Sequence, residues 1–179
     1  MNRRHAIRTA FIFSAGAALL PSCLQKDTTT SIPLNNIVVN SEQQKMLAQL
    51  AAAIIPTTKF IGAAEVKAHE FTLLMVDDCY SPEKQKLFTD GLQQFDKLVN
   101  SKYGKPFAGC SNQQITAWLT AIENKKDMPD EVVQFYQTTK QHTLQAFTSC
   151  KQYMVDVRKY NMVPGPGFKG CVLLKNKVA

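Results

Sequence analysis

Two histidines outside the N-terminal segment, a pair of adjacent aspartates and a scatter of cysteines are the side chains that could do chemistry here. His69-Glu70-Phe71-Thr72-Leu73 begins like the helical zinc motif but lacks a second histidine four residues after the first, so no pair of imidazoles shares a helix face. His142 has no cysteine or carboxylate at a ligand spacing, and both histidines read as surface or interface imidazoles. Asp77 and Asp78 point in different directions on a helix, so spacing alone does not make them an acid/base pair. They read as a solvated or interfacial edge beside Cys79. No nucleophile with a neighbouring base and no dinucleotide fingerprint is present. The chain is therefore expected to have no catalytic, cofactor-binding or metal-ligating residue of its own.

The chain has five cysteines. With Cys23 assigned below to lipid, Cys79, Cys110, Cys150 and Cys171 remain, and none forms a CxxC pair of the redox, zinc or iron–sulfur kind. An even number in an exported chain favours disulfides, with three pairings open. A Cys79–Cys171 bridge would fasten the C-terminal tail to the second helix; it would close a loop of about 93 residues, worth ~4–5 kcal/mol in the chain-entropy account.

These residues must be positioned by helices, because no alternating strand of useful length occurs. Ser41 with Gln44 forms a capping-box pattern, and Leu47, Leu50, Ala51 and Ile54 then share one face until Pro56. A second helix is predicted over 69–79, with Phe71, Leu74, Met75 and Asp78 on a mixed face. Ser81-Pro82-Glu83 opens a third, burying Leu87, Phe88, Leu92, Phe95, Leu98 and Val99. Ser111 caps a short fourth helix carrying Ile115, Trp118, Leu119 and Ile122. Pro129-Asp130-Glu131 starts a long fifth one running towards Lys159, with Leu144, Phe147, Met154 and Val157 on one side. Prolines and glycines alternate from Val163 to Gly167, and with Phe168 to Cys171 they read as an extended cover. The expected fold is all-α, a compact bundle of about five helices with an extended Pro/Gly-rich C-terminal tail.

The N-terminus reads as an address. Arg3, Arg4 and Arg8 precede an apolar run from Ala10 to Leu20 of about 11 residues, the length of a signal-peptide core and short of the ~20 that span a bilayer. Leu20-Pro21-Ser22-Cys23 resembles a bacterial lipobox, whose cysteine is lipidated, and Arg3-Arg4 resembles a twin-arginine signal for export of folded protein. The expected organisation is a signal peptide over 1–22, a lipidated tether over 23–40 and a helical domain over 41–179. The whole chain carries +7 from 21 basic and 14 acidic residues. Loss of the three N-terminal arginines leaves +4 without a basic stripe, which removes the main support for nucleic-acid binding.

Several segments in order carry a resemblance. Ala53-Ile54-Ile55-Pro56-Thr57-Thr58, Gly62-Ala63-Ala64-Glu65-Val66, His69-Glu70-Phe71, Asp78-Cys79-Tyr80-Ser81, Phe147-Thr148-Ser149 and the stretch from Tyr160 through Pro164-Gly165 to Gly170-Cys171 resemble the gluconate 2-dehydrogenase subunit 3 family. Lys59 and Ile61 stand where that family often has an acid and a proline, implying a different partner contact at this loop. The resemblance implies a non-catalytic small subunit of an exported dehydrogenase acting on a sugar or sugar acid. It further implies a large subunit of the glucose-methanol-choline type carrying FAD, and a cytochrome c subunit carrying haem c. Arg3 and Arg4 match the escort signal of such subunits, and Cys23 implies anchoring in the cell envelope, on the periplasmic side of the inner or outer membrane. The alternative is a helical envelope lipoprotein acting as a scaffold or binding protein without a flavoenzyme partner.

Overall fold

A computed structural model describes residues 32–124 and 127–161. The helices are α1 (Ser41–Ile54), α2 (Ala68–Cys79), α3 (Pro82–Tyr103), α4 (Asn112–Glu123) and α5 (Asp130–Ser149), with a 3₁₀ turn at Phe107–Gly109 and a π turn at Tyr153–Val157. Among the described residues there is no strand, so the all-α expectation is met. No described helix is long and apolar enough to cross a membrane. The signal segment and the Pro/Gly tail lie outside the described residues.

The local signals set most helix starts. α1 is capped one residue earlier than the spacing suggested: the Asn40 side chain accepts from Gln43 N at 2.8 Å, and Gln43 Oε1 accepts from Asn40 N at 3.0 Å. Gln44, expected as the box partner, is instead buried. Pro82 occupies the first turn of α3, and Gly104 ends that helix at φ 69°, a left-handed turn that suits glycine. Ser111 and Gln114 form the capping box that starts α4.

α5 is the spine, meeting α3 along its first half and α2 along its second. The approach to α3 is close at Gly91, where a Cβ would lie 2.3 Å from the Glu131 carbonyl oxygen and 2.6 Å from Phe135 Cβ. Around it runs a chain of rings, Phe88–Phe135 at 5.1 Å, Phe135–Phe95 at 5.4 Å, Phe95–Phe107 at 5.1 Å and Phe95–Trp118 at 6.1 Å between centroids. Edge-on packing of this kind adds to the area each ring buries.

Two helical faces differ from expectation. On α2 the buried side is Thr72, Leu73, Val76 and Asp77, one step round from Phe71, Leu74, Met75 and Asp78. On α5 it is Val132, Phe135, Tyr136, Thr139, His142 and Thr143, while Leu144 is exposed. That helix stops at Ser149, ten residues before Lys159, because Cys150 is extended and the chain re-coils as the π turn.

Residues 32–40, expected as the end of the tether, lie against the body. Ile37 and Val39 are buried, and Ile32 and Leu34 pack on the core. Asp77 holds this stretch: its carboxylate accepts from Asn35 N at 2.8 Å, Asn36 N at 2.7 Å and Ile37 N at 2.8 Å. The Asn36 amide donates back to the Asp77 carbonyl at 2.8 Å.

Candidate partner-binding surface

The residues singled out for chemistry do not converge. Arg3, Arg4, Cys23 and Cys171 lie outside the described residues. Cys79, Cys110 and Cys150 are not bridged to one another, and the expected Cys79–Cys171 bridge lies outside the described residues. They sit at three separate helix ends with local engagements: Cys110 Sγ donates to the Pro106 carbonyl at 3.7 Å, and Cys150 Sγ accepts from Tyr153 N at 3.4 Å. No group of three or more metal-binding side chains occurs among the described residues.

His142 is no surface imidazole. It is buried, with Nε2 hydrogen-bonded to the Tyr80 hydroxyl at 2.9 Å and Nδ1 to Gln145 Oε1 at 3.2 Å, between the rings of Phe71 and Tyr80. It joins α5 to the end of α2. His69 is half-buried, and burial pushes its imidazole down, with Glu70 opposing. Asp77 is no solvated edge either. Burial works to raise its carboxyl, but the three backbone donors together outweigh that and hold it below the usual carboxylate range.

Two surface features stand out. The first is an open groove of about 700 Å³ between α1 and α4, walled by Ala52, Ala53, Ile115 and Leu119. At one end Tyr136 Oη donates to Glu123 Oε1 at 2.7 Å, and the Lys140 ammonium donates to the same oxygen. Burial and then Glu123 push the Tyr136 phenol up, while Lys140 and then Tyr136 hold the Glu123 carboxyl down.

The second lies where α1 ends and α2 begins. The connection 55–67 is stiff for a loop. Glu65 Oε1 accepts from the Thr57 hydroxyl at 2.7 Å, its Oε2 accepts from Gly62 N at 2.9 Å, and the Ile55 carbonyl accepts from Ala63 N at 2.9 Å. At Gly62 a Cβ would lie 2.6 Å from Thr57 N, so only glycine lets the strands of the loop close. Ala51, Ala63 and Ala68 pack beneath it with Ala146 of α5. The loop thereby holds Phe60 out to solvent, 63% exposed.

Facing Phe60 is the end of α5. Phe147 packs against Tyr153 with the rings tilted and centroids 5.3 Å apart, and Val157 follows on the π turn. Together Phe60, Ile61, Phe147, Tyr153 and Val157 wall a socket of about 150 Å³, with Lys59 and Asp156 at its edge. Val157 is exposed at its wall, and Val155 and Tyr160 are exposed on the same segment of chain. Exposed apolar side chains gathered at a concavity mark interaction sites. The sequence drew attention to the loop through Lys59 and Ile61, not through Phe60. An isolated phenylalanine in a loop shows its exposure only once the loop is folded.

The family description "Gluconate 2-dehydrogenase subunit 3" matches this chain over residues 41–167, well over half its length. The chain belongs to that family. No curated protein and no solved structure matches it. Gluconate 2-dehydrogenase subunit 3 is an accessory subunit of a dehydrogenase. The matched range covers all five helices and the socket, and it leaves out the stretch 32–40 that Asp77 clamps.

Proposed function

We propose that this chain is the non-catalytic small subunit that escorts, matures and membrane-anchors an FAD-dependent periplasmic dehydrogenase of the glucose-methanol-choline type, acting on a sugar or sugar acid. The observation that carries the reading is the family match over residues 41–167. In this reading Arg3 and Arg4 supply the folded-export signal and Cys23 the lipid anchor, placing the complex at the periplasmic face of the inner or outer membrane. FAD sits in the large subunit and haem c in a cytochrome subunit. The helical body offers rigid docking surface, and its buried polar residues, Asp77 and His142, serve the fold.

The test is genetic and biochemical together. Changing Arg3 and Arg4 to Lys in the native host is expected to leave the flavoprotein in the cytoplasm and to abolish sugar-dependent dye reduction by the membrane fraction. Full activity in the envelope of that strain would refute the escort role. Changing Cys23 to Ser is expected to move the assembled, active complex from membrane to soluble periplasm.

A further inference from the structure

We propose that the socket between the 55–67 loop and the end of α5 receives one large apolar side chain, flanked by acidic residues, from the flavin-bearing subunit. The inference rests on the accessory-subunit reading and adds where and by what chemistry the partner is held.

Size sets the occupant. A space of about 150 Å³ is well under the ~300–1,000 Å³ of drug-sized ligand sites, and an apolar cavity of that volume accommodates a single benzene-sized ring. Phe60, Phe147 and Tyr153 supply the aromatic walls that recur at the centres of interfaces. The wall is also preorganised. Glu65 and Gly62 fix the loop, and the packed rings of Phe147 and Tyr153 fix the opposite side, so little ordering cost accompanies docking.

Charge sets the flanks. Lys59, Lys151, Arg158 and Lys159 are all exposed on the two segments that bear the socket, and none has an ion-pair partner among the described residues. Asp156 is the sole acid between Lys151 and Lys159, and on the 55–67 loop the one acid, Glu65, is engaged by the Thr57 hydroxyl and Gly62 N. A complementary partner therefore carries carboxylates around its apolar knob, which raises the association rate and fixes register. An anionic bilayer would meet the same cations, but it has no knob to fill a concavity. The observations thus favour a protein.

The experiment uses the tagged full-length chain in its native host, with the complex solubilised and purified and bound flavin measured per small subunit. Wild-type chain is expected to retain the FAD protein. Phe60→Ser and Val157→Asp are each expected to reduce retained flavin roughly tenfold or more, with unchanged thermal midpoints because both positions are exposed. Lys59→Glu combined with Lys159→Glu is expected to weaken retention at low salt more than at high salt. Thr116→Lys, in the groove between α1 and α4, is expected to retain flavin as wild type does. Wild-type flavin retention by Phe60→Ser and Val157→Asp overturns the socket proposal and leaves the accessory-subunit reading standing. Wild-type chain that retains no flavoprotein overturns that reading itself. A third outcome also overturns the proposal: the Phe60→Ser variant keeps its flavoprotein, yet with Cys23→Ser it loses sedimentation with vesicles containing phosphatidylglycerol, making the surface a membrane contact.

Discussion

Asp77→Ala should release the stretch ahead of α1 from the body. Docking residues 35–39 costs backbone freedom of about 1–2 kcal/mol per residue, roughly 5–10 kcal/mol in all. Burial of Ile37 and Val39 returns only about 3–6 kcal/mol, and that is an upper bound. The stretch is therefore held by the three donors on the Asp77 carboxylate, each worth roughly 1.5–3 kcal/mol as a bond to a charged group. Without the carboxylate, the cheaper outcome is detachment, since staying would strand three N–H groups. The predicted loss is the net docking energy, about 3 kcal/mol, or a thermal midpoint about 10 °C lower for a domain of this size. Hydrogen exchange read at Asn36 and Ile37 should accelerate to the rate of open chain, while amides in the middle of α3 and α5 stay protected. Asp77→Asn keeps one acceptor oxygen and should fall between. A midpoint within about 2 °C of wild type, with slow exchange persisting at Ile37, would refute the reasoning.

Four further outcomes are expected. Because the folded Asp77 carboxyl is held below its ordinary value near 3.8, its contribution is complete above that pH and is lost as the pH falls from there through the folded value. Thermal melts of wild type and Asp77→Asn should thus draw together as the pH falls from about 3.8 through the lower folded value, and differ most near neutrality. Gly91→Ala should destabilise by roughly 2 kcal/mol in urea titration despite alanine's better helix propensity, since its Cβ meets backbone at 2.3 Å. Phe95→Ala, at the centre of the ring chain, should cost about 3–5 kcal/mol by the same measurement. Tyr136→Phe should cost about 1 kcal/mol through the lost bond to Glu123.

What the sequence revealed and what it hid divide along physical lines. Proline, serine and glycine act on their own few residues, so the starts of α3, α4 and α5 could be read directly. The face of α2 could not. Thr72 and Asp77 are polar, so a hydrophobic stripe is drawn through Phe71, Leu74 and Met75, and only the donors on residues 35–37, some forty positions away, explain an inward carboxylate. Leu144, Phe147 and Val157 do follow a helical period in sequence, but periodicity marks an apolar face without saying whether the covering comes from the same chain. At the end of α5 this chain leaves that face uncovered among the described residues. Cys79, Cys110 and Cys150 show a different limit: an even cysteine count says nothing of distance, and three separate helix ends do not bring thiols together.

The clamp and the socket belong to different tasks, and one pair of variants separates them. If Cys23 carries lipid as proposed, the chain from Cys23 to the clamp at Asn35 is 12 residues, whatever its conformation, and spans at most about 40–43 Å. Beginning the body at Ser41 instead would allow about 60–65 Å over 18 residues. Along α2, Asp77 and Ala68 are nine residues apart, roughly 14 Å, and the loop bearing Phe60 leads into that first turn. The clamp therefore limits how far from the bilayer the socket can meet its partner. Asp77→Ala should lengthen this leash and lower stability while leaving flavoprotein retention intact, because the socket shares no residue with the clamp. Phe60→Ser should do the reverse. Loss of the flavoprotein in Asp77→Ala under conditions where the domain remains folded would show that membrane distance, and not the socket alone, governs assembly.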